Sequence, residues 1–340
     1  MSSLMLAEAQ QAPAVAARLL AADADTYAAL AQAWRTTPPA SLLTVARGSS
    51  DHAASYLAYL AMARLGRLVT SLPMSVVTLY RSRLQTAGLW SLAFSQSGRS
   101  PDLVETTQAL RAQGAQTLAI VNDTASPLAQ AALWVLPLHA GAERSVAATK
   151  SFLAQMVVGA RLVSTWADDD GLAAALPQLP AALERAAQQD WRRGVDALSA
   201  VERLYVIGRG TGLAAAMEAA LKLKETCGLQ AEAFSGAEVQ HGPMALVGPG
   251  FGLLILAPRG PAQASLLHLA QAMRDRGAQV LLAAPQGTPG ADLPLVDTGH
   301  EDLDAIAAVQ SFYPMVEALA RARGLDPDAP RHLSKVTQTR

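Results

Sequence analysis

Cysteine is almost missing from this 340-residue chain: Cys227 stands alone, which excludes an intramolecular disulfide and any multi-cysteine metal site. A reducing, cytoplasmic setting is the expectation that follows. Charge is thin, at 16% of residues, and nearly balanced at a net −1. No basic run occurs, so nucleic acid is not an expected partner. Long apolar runs are lacking as well. Gly, Pro or a charge interrupts each one before the length of a membrane span, and the N-terminus lacks the charged, apolar and cleavage regions of a signal peptide. No membrane partner is expected. His52, His139, His241, His268, His300 and His332 show no metal-ligand spacing, and neither a metal nor an organic cofactor is expected.

What is present is apolar material and alternation. Hydrophobic residues make up 51% of the chain, enough for two cores of ordinary size. Strand-like runs at Leu42–Ala46, Leu68–Ser71, Gly88–Phe94, Gln116–Val121 and Leu133–Leu138 alternate with helix-like stretches. A second series follows at Leu204–Ile207, Gly252–Ala257, Val280–Ala284 and Leu293–Val296. This pattern predicts an α/β fold with parallel sheets. The two series are in register. A shift of 162 carries Arg47-Gly48-Ser49-Ser50 onto Arg209-Gly210-Thr211-Gly212, Gly98 onto Gly260 and Ala119-Ile120-Val121 onto Leu281-Leu282-Ala283. Three junctions agreeing on one offset point to a duplicated domain. The expected division is a helical arm over 1–35, a first domain over 36–180, a second over 195–325 and a C-terminal tail over 326–340, with the join between Asp168 and Ala200.

Where the first copy's third strand should end stands Ser95-Gln96-Ser97-Gly98, and helical spacing of Leu103, Thr107 and Leu110 follows from Ser100 to Gln113. Hydroxyls and backbone N–H groups at a helix N-terminus suit an anion. The turn has no lysine, so it fits one compact phosphate monoester better than a triphosphate with its metal. The second copy has Ala257-Pro258-Arg259-Gly260 at the matching place, so the first copy is expected to hold the phosphate. Between Glu218 and His241 the chain is dense in chemistry. Glu218, Lys222 and Glu225 are four and three apart, on one face of a helix that begins near Thr211 and is otherwise apolar. Glu232, Glu238 and a His241-Gly242-Pro243 turn follow, and Lys335 lies in the apolar Leu333–Val336 stretch.

These motifs resemble the tandem sugar isomerase (SIS) domain proteins, over almost the full length of the chain. The isomerase half of glucosamine-6-phosphate synthase is similar at Arg47–Ser50, Ser95–Gly98, Val146–Lys150, Ala220–Glu225, Ala231–Ala233, His241–Pro243 and Pro330–Lys335. The SIS-type glucosamine-6-phosphate deaminases are closer still, through Gly48–His52, Ser97–Asp102, Ala147–Ser151 and the ending Lys335-Val336-Thr337-Gln338-Thr339. The resemblance implies two tandem SIS domains, each a parallel sheet flanked by helices in a flavodoxin-like three-layer sandwich. It implies substrate phosphate contacts from Ser50, Ser95, Gln96, Ser97 and Ser100. Glu225 aligns with the carboxylate that moves a proton between C1 and C2, and His241 with a ring-opening histidine donated by the neighbouring subunit of a homodimer. Lys335 aligns with a lysine that contacts the open-chain sugar, and Lys222 and Glu232 take supporting positions. Position 148 belongs to the substrate-binding set, but the synthase has Ser where this chain has Ala148.

The synthase also carries a glutaminase domain. Only about 35 residues precede the first strand here, and no such domain is expected in that space. The resemblance therefore implies a glucosamine-6-phosphate deaminase, which forms fructose 6-phosphate and ammonia. The alternatives are an isomerase or deglycase for another phosphosugar, such as a fructosamine 6-phosphate or galactosamine 6-phosphate, and a non-catalytic sugar-phosphate sensor.

Overall fold

The computed structural model describes residues 2–335. Three helices open the chain, α1 (Leu4–Ala9), α2 (Ala12–Ala21) and α3 (Ala24–Thr36). Two five-stranded sheets follow. The first contains β1 (Leu42–Val45), β2 (Val69–Ser71), β3 (Trp90–Ser95), β4 (Gln116–Val121) and β5 (Trp134–Pro137), in the order β2-β1-β3-β4-β5. The second contains β6 (Arg203–Gly208), β7 (Gln230–Ser235), β8 (Gly252–Leu256), β9 (Gln279–Pro285) and β10 (Leu293–Leu295), in the order β7-β6-β8-β9-β10. Every strand pair is parallel.

The duplication is visible in the hydrogen-bond register. Leu42 stands opposite Val69 and Trp90; Leu204 stands opposite Ala231 and Gly252. All three positions differ by the same 162 residues. The offset slips by one at the next pair, Trp90 with Gln116 against Gly252 with Gln279.

One strand departs from the expected list. Gln230–Ser235, where Glu232 and Phe234 stand out only as a chemical cluster in the sequence, is the edge strand β7. Its residues, Gln-Ala-Glu-Ala-Phe-Ser, have weak strand preference. They are held by backbone pairing to β6 from Arg203 to Gly208 rather than by an apolar face of their own.

Contacts gather the chain into two compact units. Among the described residues the N-terminal lobe comprises 14–143, 150–177 and 334–335; the C-terminal lobe comprises 2–13, 144–149 and 178–333. The helical stretch at the start of the chain thus divides at Pro13, and the tail divides at Leu333.

In the N-terminal lobe, Leu43, Val45, Ala93, Ala119 and Val121 meet Leu103 and Leu110 of α6 (Pro101–Ala112), behind the short α5 (Ser75–Thr78), and Leu128 of α7 (Pro127–Ala131). The alternate residues Leu42, Leu92, Phe94, Leu118 and Ile120 are equally buried, so both faces of the sheet are covered, as an all-parallel sheet requires. The second face meets α4 (Ser49–Leu65), which packs along α8 (Lys150–Ala167).

The C-terminal lobe repeats the plan. Helices α9 (Asp170–Ala175), α10 (Leu179–Ala187) and α11 (Arg192–Leu198) lead into it. One sheet face meets Leu266, Ala270 and Met273 of α13 (Gln263–Asp275). Against the sheet lies α12 (Gly212–Cys227), itself packed on α14 (Glu301–Ala322). Among the described residues no helix is long and apolar enough to cross a membrane.

Candidate active site

Both sheets have a switch point, where the first helix leaves toward one edge and the next toward the other. Ligands collect there in open α/β sheets. In the N-terminal lobe it lies between β1 and β3. Gly48, at φ +55°, turns the chain from β1 into α4, and Ser50 stands in that helix's first turn. Ser95-Gln96-Ser97-Gly98-Arg99-Ser100 runs from β3 to the Pro101 that starts α6. Two helix N-termini thus flank one crevice, with backbone N–H groups and positive dipole ends. Arg47, just before Gly48, pairs with the buried Asp102 in the first turn of α6, Nε to Oδ2 at 3.1 Å, which ties the β1–α4 turn to the start of α6.

The serines of this loop have separate tasks. Ser95 Oγ is buried and accepts the Gly98 N–H at 3.0 Å, closing the turn. Ser97 Oγ accepts the Arg99 N–H at 3.3 Å. Ser100 is the N-cap of α6 in backbone geometry, yet its hydroxyl makes no cap bond. Ser50 Oγ accepts the Gln155 amide at 3.0 Å, from α8 behind it. Gly98 adopts φ +64°, and a Cβ there would overlap Ser126 Oγ and lie 2.8 Å from Val121 Cγ2. Its backbone carbonyl accepts from Leu128 N at 3.1 Å. This turn admits only glycine. Asp51, in the first turn of α4, has its carboxyl pushed above the usual range by burial, against the pull of His52 and Arg47.

The matching crevice of the second sheet is built differently. Arg259 Nε and Nη2 bind the Asp304 carboxylate at 2.7 and 2.9 Å, and Asp297 lies 2.6 Å away. Pro258 lies 3.5 Å from where a Cβ on Gly212 would sit. Hydroxyls occupy the first crevice, and an ion-paired arginine the second.

The C-terminal lobe holds the buried charges. On α12, Lys222 is 1% exposed in its side chain, Glu218 0% and Glu225 19%. The Lys222 ammonium pairs with Glu225 and lies 3.5 Å from Glu218 Oε1. Tyr313 of α14 donates to Glu218 at 3.5 Å and lies 3.4 Å from the Thr149 carbonyl. Burial would lower the Lys222 pKa, but the two carboxylates outweigh it and raise it above an ordinary lysine's. Glu225 is the end of this trio that reaches a cavity of about 740 Å³, lined also by Lys224, Arg323, Asp326, Arg331 and Leu333.

Glu232 and His241 stand apart from the trio. Glu232 is exposed on β7, opposite Tyr205 in register. Burial and the Glu232 charge both raise the Tyr205 hydroxyl, which therefore stays a donor, and it bonds the Pro243 carbonyl at 3.2 Å. That bond steadies the turn carrying His241, which is exposed. Among the described residues the His241 imidazole makes no side-chain hydrogen bond or ion pair. Ala148 is half-buried in the loop of residues 144–149, which Glu8 of α1 pins by accepting Arg144 N at 2.6 Å, Ser145 N at 3.0 Å and Ser145 Oγ at 2.6 Å. Lys335 Nζ lies 2.9 Å from Oε2 of the buried Glu143. The motif after it, Val336–Thr339, lies outside the described residues.

Sequence reasoning missed Glu8 and Glu143. The one available signal was a single carboxylate in an otherwise apolar or small-residue setting, in Leu4–Ala9 and Ala140–Ala148. Among the described residues no three His, Cys, Asp or Glu side chains assemble as a metal-ligand group.

A SIS domain model matches residues 38–164 and 197–289. A glutamine–fructose-6-phosphate aminotransferase (isomerizing) from Aeropyrum pernix is 36% identical over 317 residues, covering 86% of this chain and 50% of that protein. The chain spans about half the length of the curated relatives it matches. Among solved structures, a candidate phosphosugar isomerase from Silicibacter pomeroyi DSS-3 is 44% identical with a TM-score of 0.90, covering 96% of this chain and all of that one. A glucosamine-6-phosphate deaminase from Thermotoga maritima shares the fold at a TM-score of 0.77 and 20% identity, over 99% of this chain and 100% of that one.

Proposed function

The chain belongs to the SIS domain family, and from that premise we propose that it is a glucosamine-6-phosphate deaminase. The substrate's phosphate sits in the N-terminal lobe's crevice, held by Ser50, Ser95, Gln96, Ser97 and Ser100 and by the N-termini of α4 and α6. His241, donated by the partner subunit of a homodimer, moves a proton from the C1 hydroxyl to the ring oxygen and opens the sugar. An imidazole, with a pKa of about 6.5 when unperturbed, suits that transfer near neutrality.

Glu225 then takes the C2 proton of the open-chain aldose and returns one to C1. The C1 carbonyl becomes a hydroxymethyl group while C2 becomes a ketimine. Water adds to the ketimine carbon, the C2–N bond breaks, and fructose 6-phosphate and ammonia leave. No step of this scheme calls for a nitrogen donor. Lys222 holds the Glu225 carboxylate, Lys335 meets the open-chain oxygens, and Glu232 supports the histidine turn through Tyr205.

The observation that carries the reading is the charged trio on α12, in which only Glu225 reaches the cavity. Three ionic groups in an apolar helix face are costly to bury for stability alone, and such sites mark chemistry. The likeness of Gly48–His52, Ser97–Asp102 and Ala147–Ser151 to the deaminases supports the substrate, and Ala148 removes one hydroxyl that the synthase offers.

Glu225→Gln tests the assignment. Turnover of glucosamine 6-phosphate should fall roughly 10²–10⁴-fold, as loss of a general base does, while sugar-phosphate binding persists. A wild-type chain that binds phosphosugars and turns none over would establish a sensor instead. Ammonia from another aminosugar phosphate alone would move the substrate, not the chemistry.

A further inference from the structure

Glu143 lies between β5 and α8 with its side chain 0% exposed. A carboxylate out of water is costly unless it is paired. The Ser151 N–H donates to Oε1 at 3.1 Å and the Ser151 hydroxyl to Oε2 at 2.6 Å. The carboxylate therefore caps the first turn of the 18-residue α8, where the helix dipole favours an anion. The neighbouring Lys150 ammonium donates to the Ala142 carbonyl at 2.6 Å. Lys335 Nζ adds an ion pair at 2.9 Å from Oε2. Burial pushes the Glu143 carboxyl up, yet Lys335 and Ser151 together more than offset this and hold it below the usual carboxylate range.

We propose that Glu143 is a positioning residue that docks the C-terminal tail by its lysine and aims the Lys335 ammonium. Lys335 comes from the far end of the chain, 192 positions away, and finds a buried, helix-capping anion waiting in the N-terminal lobe. Its side chain stays 23% exposed. An ammonium has three donors; one is spent on Glu143, and the others remain for a carbonyl or hydroxyl oxygen of an open-chain sugar. Only that last task of Lys335 rests on the deaminase reading. The docking rests on geometry alone.

The composition offers a clean reporter. The chain has four lysines, Lys150, Lys222, Lys224 and Lys335. Lys150 and Lys222 are buried and Lys224 is exposed. A water-soluble amine-acylating reagent, read by peptide mass spectrometry, thus compares Lys335 with Lys224 in one sample of the full chain. In the wild type Lys335 should react more slowly than Lys224. Glu143→Gln keeps an acceptor for the Ser151 N–H and removes the charge. It should speed Lys335 labelling about tenfold, the scale of a lost charge-assisted hydrogen bond, with Lys224 unchanged.

The same variant should lower kcat on glucosamine 6-phosphate and leave KM nearly unchanged, with partial rescue by Glu143→Asp. Ser151→Ala removes one carboxylate hydrogen bond and keeps the charge. It should raise Lys335 labelling two- to threefold, a milder form of the same loss, and it serves if Glu143→Gln does not fold. Wild-type Lys335 labelled as fast as Lys224, or variants that label no faster than the wild type, would overturn the proposal. Labelling needs no turnover, so it stands or falls separately from the deaminase assay.

Discussion

Lys222 shows how an ammonium persists in an apolar interior. It is fully buried between Glu218 and Glu225, and the two carboxylates hold its pKa above the ordinary lysine value. A group whose folded pKa is raised stabilises the fold below its unfolded pKa and loses that contribution as pH rises through the folded one. The Lys222 contribution is therefore present across neutral pH and is lost in strong alkali. Lys222→Met takes the ammonium away from two carboxylates, one of them the fully buried Glu218. It should cost about 3–5 kcal/mol in denaturant unfolding; a loss under 1 kcal/mol would mean the trio is not buried as described. Cys227 follows two residues after Glu225, and burial pushes its thiol up to about 11. Iodoacetamide at neutral pH should leave the native thiol unmodified and label it on unfolding, because the thiolate is the nucleophile. The trio was legible in the sequence because spacing of three and four has one meaning on a helix. Glu143 and Glu8 were not, since the Lys335 that pairs with Glu143 and the Ser145 that bonds Glu8 lie 192 and 137 positions away and leave no local pattern.

At the level of elements, the phosphate crevice depends on turns more than on side chains. Gly98 must hold φ +64° with Ser126 and Val121 pressed against it. Gly98→Ala should destabilise the N-terminal lobe by about 1–3 kcal/mol, the cost of a forced backbone conformation. It should also abolish the thermal shift that a phosphosugar gives the wild type. A Gly98→Ala variant still protected by phosphosugar would place the phosphate elsewhere. The strands were readable where they are apolar on both faces, and Trp90–Ser95 and Gly252–Leu256 are buried throughout. The edge strand β7 was not, because pairing to β6 rather than its own composition keeps it extended. The 162-residue offset survived as register because it lives in glycine turns and strand ends, the positions where backbone geometry restricts the residue type.

For the whole molecule, one gene segment used twice has yielded two lobes with different crevices. The first keeps hydroxyls; the second has locked its arginine to Asp304 and Asp297. The exposed His241 turn, steadied by Tyr205, suits a residue that serves a partner's site. Mixing inactive Glu225→Gln and His241→Ala chains under exchange should then restore about a quarter of wild-type activity, since half the dimers are mixed and each has one intact site. No recovery would mean that each chain uses its own histidine. The central claim is met most directly by measuring ammonia and fructose 6-phosphate together as the purified chain acts on glucosamine 6-phosphate. The account predicts equal amounts of both, each formed roughly 10²–10⁴-fold more slowly by Glu225→Gln; a phosphosugar that binds the wild type and yields neither product would contradict it.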